Sequence, residues 1–305
     1  MDNFTGFVTE RVPTSVVYQK VSDIGSLLIS IVAVLGNLVV IGAVSIFRPL
    51  QRKHNILVVN LSFADFAYGC VSTFLVLVVM VSEISPEAGV AAMIMMDCFT
   101  IISSLSILAI TLERAFAIMA PYKHTKVVTQ KRLVCLGITC WFTGALFSFV
   151  SVDISWYIYD CTMDTTIITI PTFLACVLYI PIFIIANRHA QMLRSRVGMG
   201  NKVKTALKTL KTFAIVVAVL WTCVVCSLVS IINCAQWKNK SDYERSGRAL
   251  HILLLAFPLS AACNPFIYCW RNAMFRSGVK TFFQRMFACN NSEMYYTSDT
   301  VMRTT

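Results

Sequence analysis

Six polar side chains stand in apolar surroundings, where each needs a reason. Asp65 lies in NLSFADF, Asn37 in VLGNLVV, Asp97 in IMMDCFT, Asn264 in CNPFIY, and Glu113 and Arg114 in ITLERAF. A charge held at bilayer depth costs at least ~2.5 kcal/mol. The Asp65 carboxylate therefore requires a cation or a proton. Asn37 suits a hydrogen bond between helices, the way buried amides hold membrane bundles together. Asp97 is either a ligand contact or the partner of a polar group on another helix. Catalytic chemistry finds no support. The four histidines (His54, His124, His189 and His251) sit at the ends of apolar stretches. None is placed to work with a nucleophile or a metal ligand. No Cys-x-x-Cys is joined to a histidine cluster, so no zinc site is expected.

These groups must be positioned by membrane-spanning helices. The 305 residues are 57% hydrophobic and 13% charged, against about 25% charged in an ordinary soluble domain. That balance excludes secreted enzymes, nucleic-acid binders and disordered proteins. Apolar periodicity places spans at 24–46, 56–81, 89–119, 134–152, 163–187, 211–234 and 249–270. Each is long enough to cross ~30 Å of hydrocarbon at 1.5 Å per residue. The expected fold is an all-α membrane protein, a seven-transmembrane helix bundle with an amphipathic C-terminal helix. The expected organisation is an extracellular N-terminus (1–23), the bundle (24–270), the amphipathic helix (271–288) and a cytoplasmic tail (289–305). The spans leave no room for a separate catalytic domain.

The net charge of +11 is a membrane signal rather than a nucleic-acid one. Its clusters alternate with apolar stretches and have no interleaved aromatics to stack on bases. With the N-terminus outside, twenty of the 26 Lys and Arg fall on the inner side and six on the outer, as the positive-inside rule requires. This predicts a multi-pass plasma-membrane protein. The start, MDNFTGFVTERVPTS, has no basic-then-apolar pattern, so no cleavable signal peptide is expected. The sequons at Asn3 and Asn239 then fall outside, where they can accept glycans. Ten of the twelve cysteines lie in or beside the inner ends of apolar stretches and read as small hydrophobes. Cys161 and Cys234 share the outer surface and are candidates for a disulfide. Beyond the seventh span, Phe275, Val279, Phe282, Phe283, Met286 and Phe287 recur at helical spacing between Arg276, Lys280 and Arg285. That pattern lies along an inner leaflet. Cys289 just after it is either a palmitoylation site or an unmodified thiol. The last dozen residues read as a disordered, phosphorylatable tail.

Five elements stand in a fixed order. They are Gly36-Asn37, Leu61-x-x-x-Asp65, Glu113-Arg114 with Pro121 seven residues on, Trp141, and Asn264-Pro265-Phe266-Ile267-Tyr268. In this register they closely resemble the rhodopsin-like (class A) G-protein-coupled receptors, over about residues 24–288. Tyr179, eight residues after Pro171, fits as well. The resemblance implies a receptor that passes an extracellular ligand's signal to a heterotrimeric G protein, with arrestin as a further partner. It implies that Glu113 holds Arg114 when the receptor is inactive, and that Tyr179 and Tyr268 swing toward Arg114 on activation. It implies a sodium ion at Asp65, Ser103 and Asn264, and an aromatic toggle at Trp221 below the ligand. Pro265 removes a backbone bond from span seven and loosens it there.

The departures from the family pattern narrow the branch. Ala115 replaces the usual tyrosine after the arginine. Span six reads Trp221-Thr222-Cys223, without the usual proline. Val203 stands where many members have an acid facing the arginine, which predicts high basal activity. Gly89 stands where a cysteine usually anchors the second outer loop, and that loop, about Asp153–Asp160, is short. These traits are nearest the melanocortin, cannabinoid, adenosine and lipid receptor branch. An amine receptor's acid would fall at Met96, whereas Asp97 is one residue, about 100° of helix, further on. By family alignment the pocket is lined by Met96, Met163, Val224, Leu228 and Leu254, with His251 as a wall residue. Such an apolar lining favours a hydrophobic or lipid-like small molecule or a peptide. The alternatives are an amine-like receptor using Asp97 and a weakly signalling or decoy receptor. A transporter would show paired repeats, and none is present. A light sensor needs a Schiff-base lysine, and span seven has none.

Overall fold

The computed structural model describes residues 16–82, 84–157, 161–197 and 255–302, together with positions between 218 and 232. Among the described residues every regular element is helical. The helices are α1 (Val16–Ile46), α2 (Ile56–Val81), α3 (Pro86–Met119) and α4 (Pro121–Val127). They continue with α5 (Gln130–Tyr157), α6 (Cys161–Val197), α7 (Ala256–Arg271) and α8 (Ala273–Met302). Two short 3-10 turns, Arg48–Leu50 and Lys53–Asn55, join α1 to α2. The described positions of the sixth span are helical too. Lys20–Ile46, Ile56–Val81, Glu87–Met119 and Gln130–Val150 are each long and apolar enough to cross a membrane, and Thr169–Ile185 is a shorter apolar helix.

Hydropathy marks where a helix meets lipid, whereas caps and breakers mark where it ends. The helices therefore outrun several expected spans. α3 starts three residues before 89, because Ser85 accepts the Ala88 N–H at 3.3 Å and Pro86 occupies the first turn. α6 continues ten residues past 187, to Val197, through Arg, Ala, Gln, Met and Leu. α8 does not end at 288. It runs on to Met302 through the stretch read as a disordered tail, which contains neither glycine nor proline. α4 was not expected at all, yet its Pro121 fixes the backbone for a first turn. Residues 249–254 of the expected seventh span lie outside the described residues.

Many buried positions between helices are filled by small side chains, and many large apolar ones face outward. Ala33, Ala43, Ala64, Ala109, Ala175 and Ser62 are buried, while Phe63, Phe74, Ile138, Phe142 and Phe149 are exposed. This is the arrangement a bundle needs in lipid, where close backbone approach rather than hydrophobicity drives association. Gly36 shows why. A Cβ there would meet the Pro265 ring at 3.0 Å, so only glycine lets α1 lie this close to α7. Gly42 does the same for α8, since its missing side chain makes room for the Phe282 ring. At the basic end of the bundle Val40, Ala43, Leu50, Val58 and Phe275 form one cluster that fastens α8 to α1 and α2. Asn272, between α7 and α8, accepts the Met274 N–H at 2.9 Å and caps α8. Prolines 171 and 181 lie inside α6, and Pro265 lies inside α7.

Candidate transduction site

Three groups of polar contacts run through the bundle. The first is Asp65, which is only 1% exposed. Ser103 of α3 donates its hydroxyl to Asp65 Oδ1 at 2.7 Å. Asn264 of α7 donates its amide to Asp65 Oδ2 at 2.7 Å. Each carboxylate oxygen thus has a donor from a different helix, which is how a buried acid is tolerated. The structure brings together the three residues expected to meet here. The donor set also fits the sodium ion that the resemblance implies, because carboxylate, hydroxyl and amide oxygens suit a hard cation. Asn37 Oδ1 and Ser62 Oγ are buried with no hydrogen-bond partner among the described residues. Ser62 lies one turn before Asp65 on the same face of α2.

The second group was not foreseen. Asn60 of α2 donates to Ser106 of α3 at 2.8 Å and accepts the Trp141 indole N–H of α5 at 2.9 Å. A Cβ at Gly137 would sit 3.0 Å from Asn60 Oδ1, so glycine there keeps α5 close. Trp141 was singled out from the sequence without a partner. The signal for the partner was an asparagine five residues before Asp65, in the same apolar run.

The third group lies at the basic end. Glu113 is buried at 8% exposure. Its Oε2 is 3.3 Å from Arg114 Nε, an ion pair whose geometry falls short of a hydrogen bond. Its Oε1 is 2.9 Å from His124 Nε2 on α4. The expected partner of Arg114 is in place, but it is shared with a histidine that carried no signal in the sequence. The two tyrosines implied to approach Arg114 sit in separate clusters. Tyr179 is buried with Ala115, Cys176, Ile182 and Val224. Tyr268 packs tilted against Phe275 of α8, with ring centroids 5.8 Å apart and an interplanar angle of 30°. Pro265 is buried against Gly36.

The expected ligand lining is only partly assembled. Val224 belongs to the buried cluster with Ala115, Cys176, Tyr179 and Ile182. Small Ala115 and Cys176 leave a space that a β-branched side chain fills. Trp221 is 37% exposed and stands edge-on to Phe173 of α6, with ring centroids 6.3 Å apart. Leu228 is exposed. Met96 packs against Ala33, Tyr68, Ala261 and Ala262, and Asp97 beside it is half-buried. His251, Leu254, Cys234, Val203, Asn3 and Asn239 lie outside the described residues, as do the side chains of Cys161, Met163 and Cys289.

The family described as 7 transmembrane receptor (rhodopsin family) matches residues 36–268. The chain belongs to that family. It is a G-protein-coupled receptor with a seven-helix fold, a multi-pass membrane protein and not an enzyme. Among curated relatives, adenosine receptor A3 of Ovis aries is 26% identical over 310 residues, covering 92% of this chain and 93% of the relative. Adenosine receptor A2b of Homo sapiens is 24% identical over 313 residues, covering 86% and 90%. Adenosine receptor A2a of Homo sapiens is 25% identical over 292 residues, covering 82% and 69%. The receptor thus passes the signal of an extracellular ligand to a G protein. Its motifs span the same three polar groups, from Asp65 to Arg114.

Proposed function

We propose that this receptor takes a small, largely apolar ligand, or a peptide, at the end of the bundle away from the basic loops, and releases Arg114 to a G protein at the other. The observation that carries this reading is the Asp65 bridge. One buried carboxylate ties α2 to α3 through Ser103 and to α7 through Asn264. A ligand that prefers one arrangement of these helices shifts the population of the other end, by no more than its differential affinity. Asp65, Ser103 and Asn264 would hold sodium, which supplies a positive charge that stabilises the inactive arrangement. Glu113 restrains Arg114, and Tyr179, Tyr268 and Pro265 serve the change of state. Of the expected ligand contacts, Met96 and Asp97 of α3 and Trp221, Val224 and Leu228 of span six lie among the described residues.

Charge counting supports an extracellular N-terminus in the plasma membrane, with glycans on Asn3 and Asn239, a Cys161–Cys234 disulfide outside and a palmitate on Cys289 inside. Hydroxyl-rich residues near the C-terminus would recruit arrestin once phosphorylated. Val203 favours substantial basal output, because it offers Arg114 no second acid.

The test is second-messenger output in cells, basal and with adenosine, lipid-like and peptide ligands, beside Arg114→Ala at equal surface level. Loss of output in the variant is expected. Output retained by Arg114→Ala would overturn the coupling role. Silence of both proteins to every ligand would favour the weakly signalling reading.

A further inference from the structure

We infer that His124 is a positioning residue for Arg114. By taking one oxygen of the Glu113 carboxylate it weakens the hold of Glu113 on the arginine, and so sets the receptor's basal coupling. The inference rests on the coupling role proposed above for Arg114.

The geometry is specific. The Glu113 side chain is only 6% exposed, so water offers its oxygens little. Oε1 is committed to His124 Nε2 at 2.9 Å. Oε2 alone is left for Arg114, at 3.3 Å from Nε and without hydrogen-bond alignment. An arginine grips a carboxylate hardest through two parallel N–H bonds. Here the carboxylate is turned so that Oε1 faces His124 and Arg114 meets Oε2 alone, and that grip is not made. The imidazole is itself held in place. Its ring stands edge-on to Phe116, with centroids 5.8 Å apart, and Phe116 is three residues past Glu113 on the same face of α3. The α4 backbone fixes the ring from below, with the His124 N–H on the Ala120 carbonyl at 2.9 Å. The α4 helix therefore does more than connect α3 to α5. It presses a donor against the one acid that restrains Arg114.

The experiment uses the full-length receptor in nanodiscs, at equal amounts, with G protein in excess so that wild-type nucleotide exchange stands clear of receptor-free discs. His124→Phe keeps the ring contact with Phe116 and removes the donor. It should free Oε1 for Arg114 and lower basal exchange about fivefold, the scale of one charge-assisted bond shifted between states. His124→Gln restores an N–H and should stay within about twofold of wild type. In a Glu113→Gln background, His124→Phe should add no further change, because the acid through which it acts has lost its charge. Basal exchange unchanged or raised by His124→Phe would overturn the inference. So would an equal drop in the Glu113→Gln background, which would mark a role in loop structure alone. Arg114→Ala run alongside separates the two readings. If it still couples, the parent role fails. If it is silent while His124→Phe matches wild type, only this inference fails.

Discussion

Asn37 of α1 donates its amide to the carbonyl of Ala261 in α7 at 3.1 Å, and Ala261 is the residue whose carbonyl Pro265 leaves without a helical donor. A proline removes the N–H that would have reached four residues back. In lipid no water can replace it. The same amide also reaches the Ala33 carbonyl of its own helix at 2.9 Å. One asparagine thus mends a gap in a helix that it does not belong to, and Gly36 beside it makes the approach short enough.

Asn37→Ala should therefore destabilise the receptor by about 1 kcal/mol, the usual worth of an interhelical bond in a membrane. The apparent Tm in detergent, followed by a cysteine-reactive dye, should fall. A Tm equal to wild type would show that the Ala261 carbonyl finds another donor.

Gly36→Leu tests the other half of that contact. Even the first carbon of a side chain would stand 3.0 Å from the Pro265 ring. The remaining atoms must push α1 off α7, at a cost of about 1–3 kcal/mol for overpacking. Surface expression should drop, with Gly36→Ala intermediate. Full expression of Gly36→Leu would mean that α1 is free to slide.

Asp65→Asn keeps the volume and removes the charge. The substituted amide still accepts from Ser103, so the bundle should fold. What should vanish is stabilisation by sodium. Sodium held at Asp65 should raise the wild-type Tm in sodium chloride over choline chloride by linkage, and the variant should show no difference between the salts. A sodium effect that survives the substitution would place the cation elsewhere.

Asn60→Ala should cost about 1–2 kcal/mol, because it strips partners from the Trp141 indole and Ser106 together. Trp141→Phe should cost less, since the Phe99 edge contact at 6.0 Å can remain. The ranking of the two melting temperatures is the check, and the reverse order would deny Asn60 its bridging role.

Val203→Glu restores an acid where the family often has one. Basal second-messenger output should fall several-fold at matched surface level, in keeping with a new charge-assisted contact to Arg114. Unaltered output would show that Glu113 already supplies the restraint.

The parts of this architecture that were legible are those with a large energetic cost. An acid at membrane depth announces its need for a partner, but that Ser103 and Asn264 supply it came from the family resemblance. The second span was readable to its ends, because loop residues flank the apolar run Ile56–Val81 on both sides. Cheap features were silent. His124 lies in the polar sequence PYKHTKV, where a histidine gives no signal, and nothing in its sequence neighbours points at Glu113. The extent of α8 was misread because polarity was taken as disorder, although no breaker interrupts it before Met302.

The corner between α7 and α8 has a mechanical consequence. Arg276 of α8 grips the carbonyls of Cys269 and Trp270, at 3.1 and 3.0 Å, and Phe275 is locked into the cluster with Val40 and Leu50. The foot of α7 is therefore bolted to the side of α1. Torque applied higher on α7 cannot be relieved by turning its foot. It must be absorbed where the ladder has already lost a rung, at Pro265, one residue from the amide that holds Asp65.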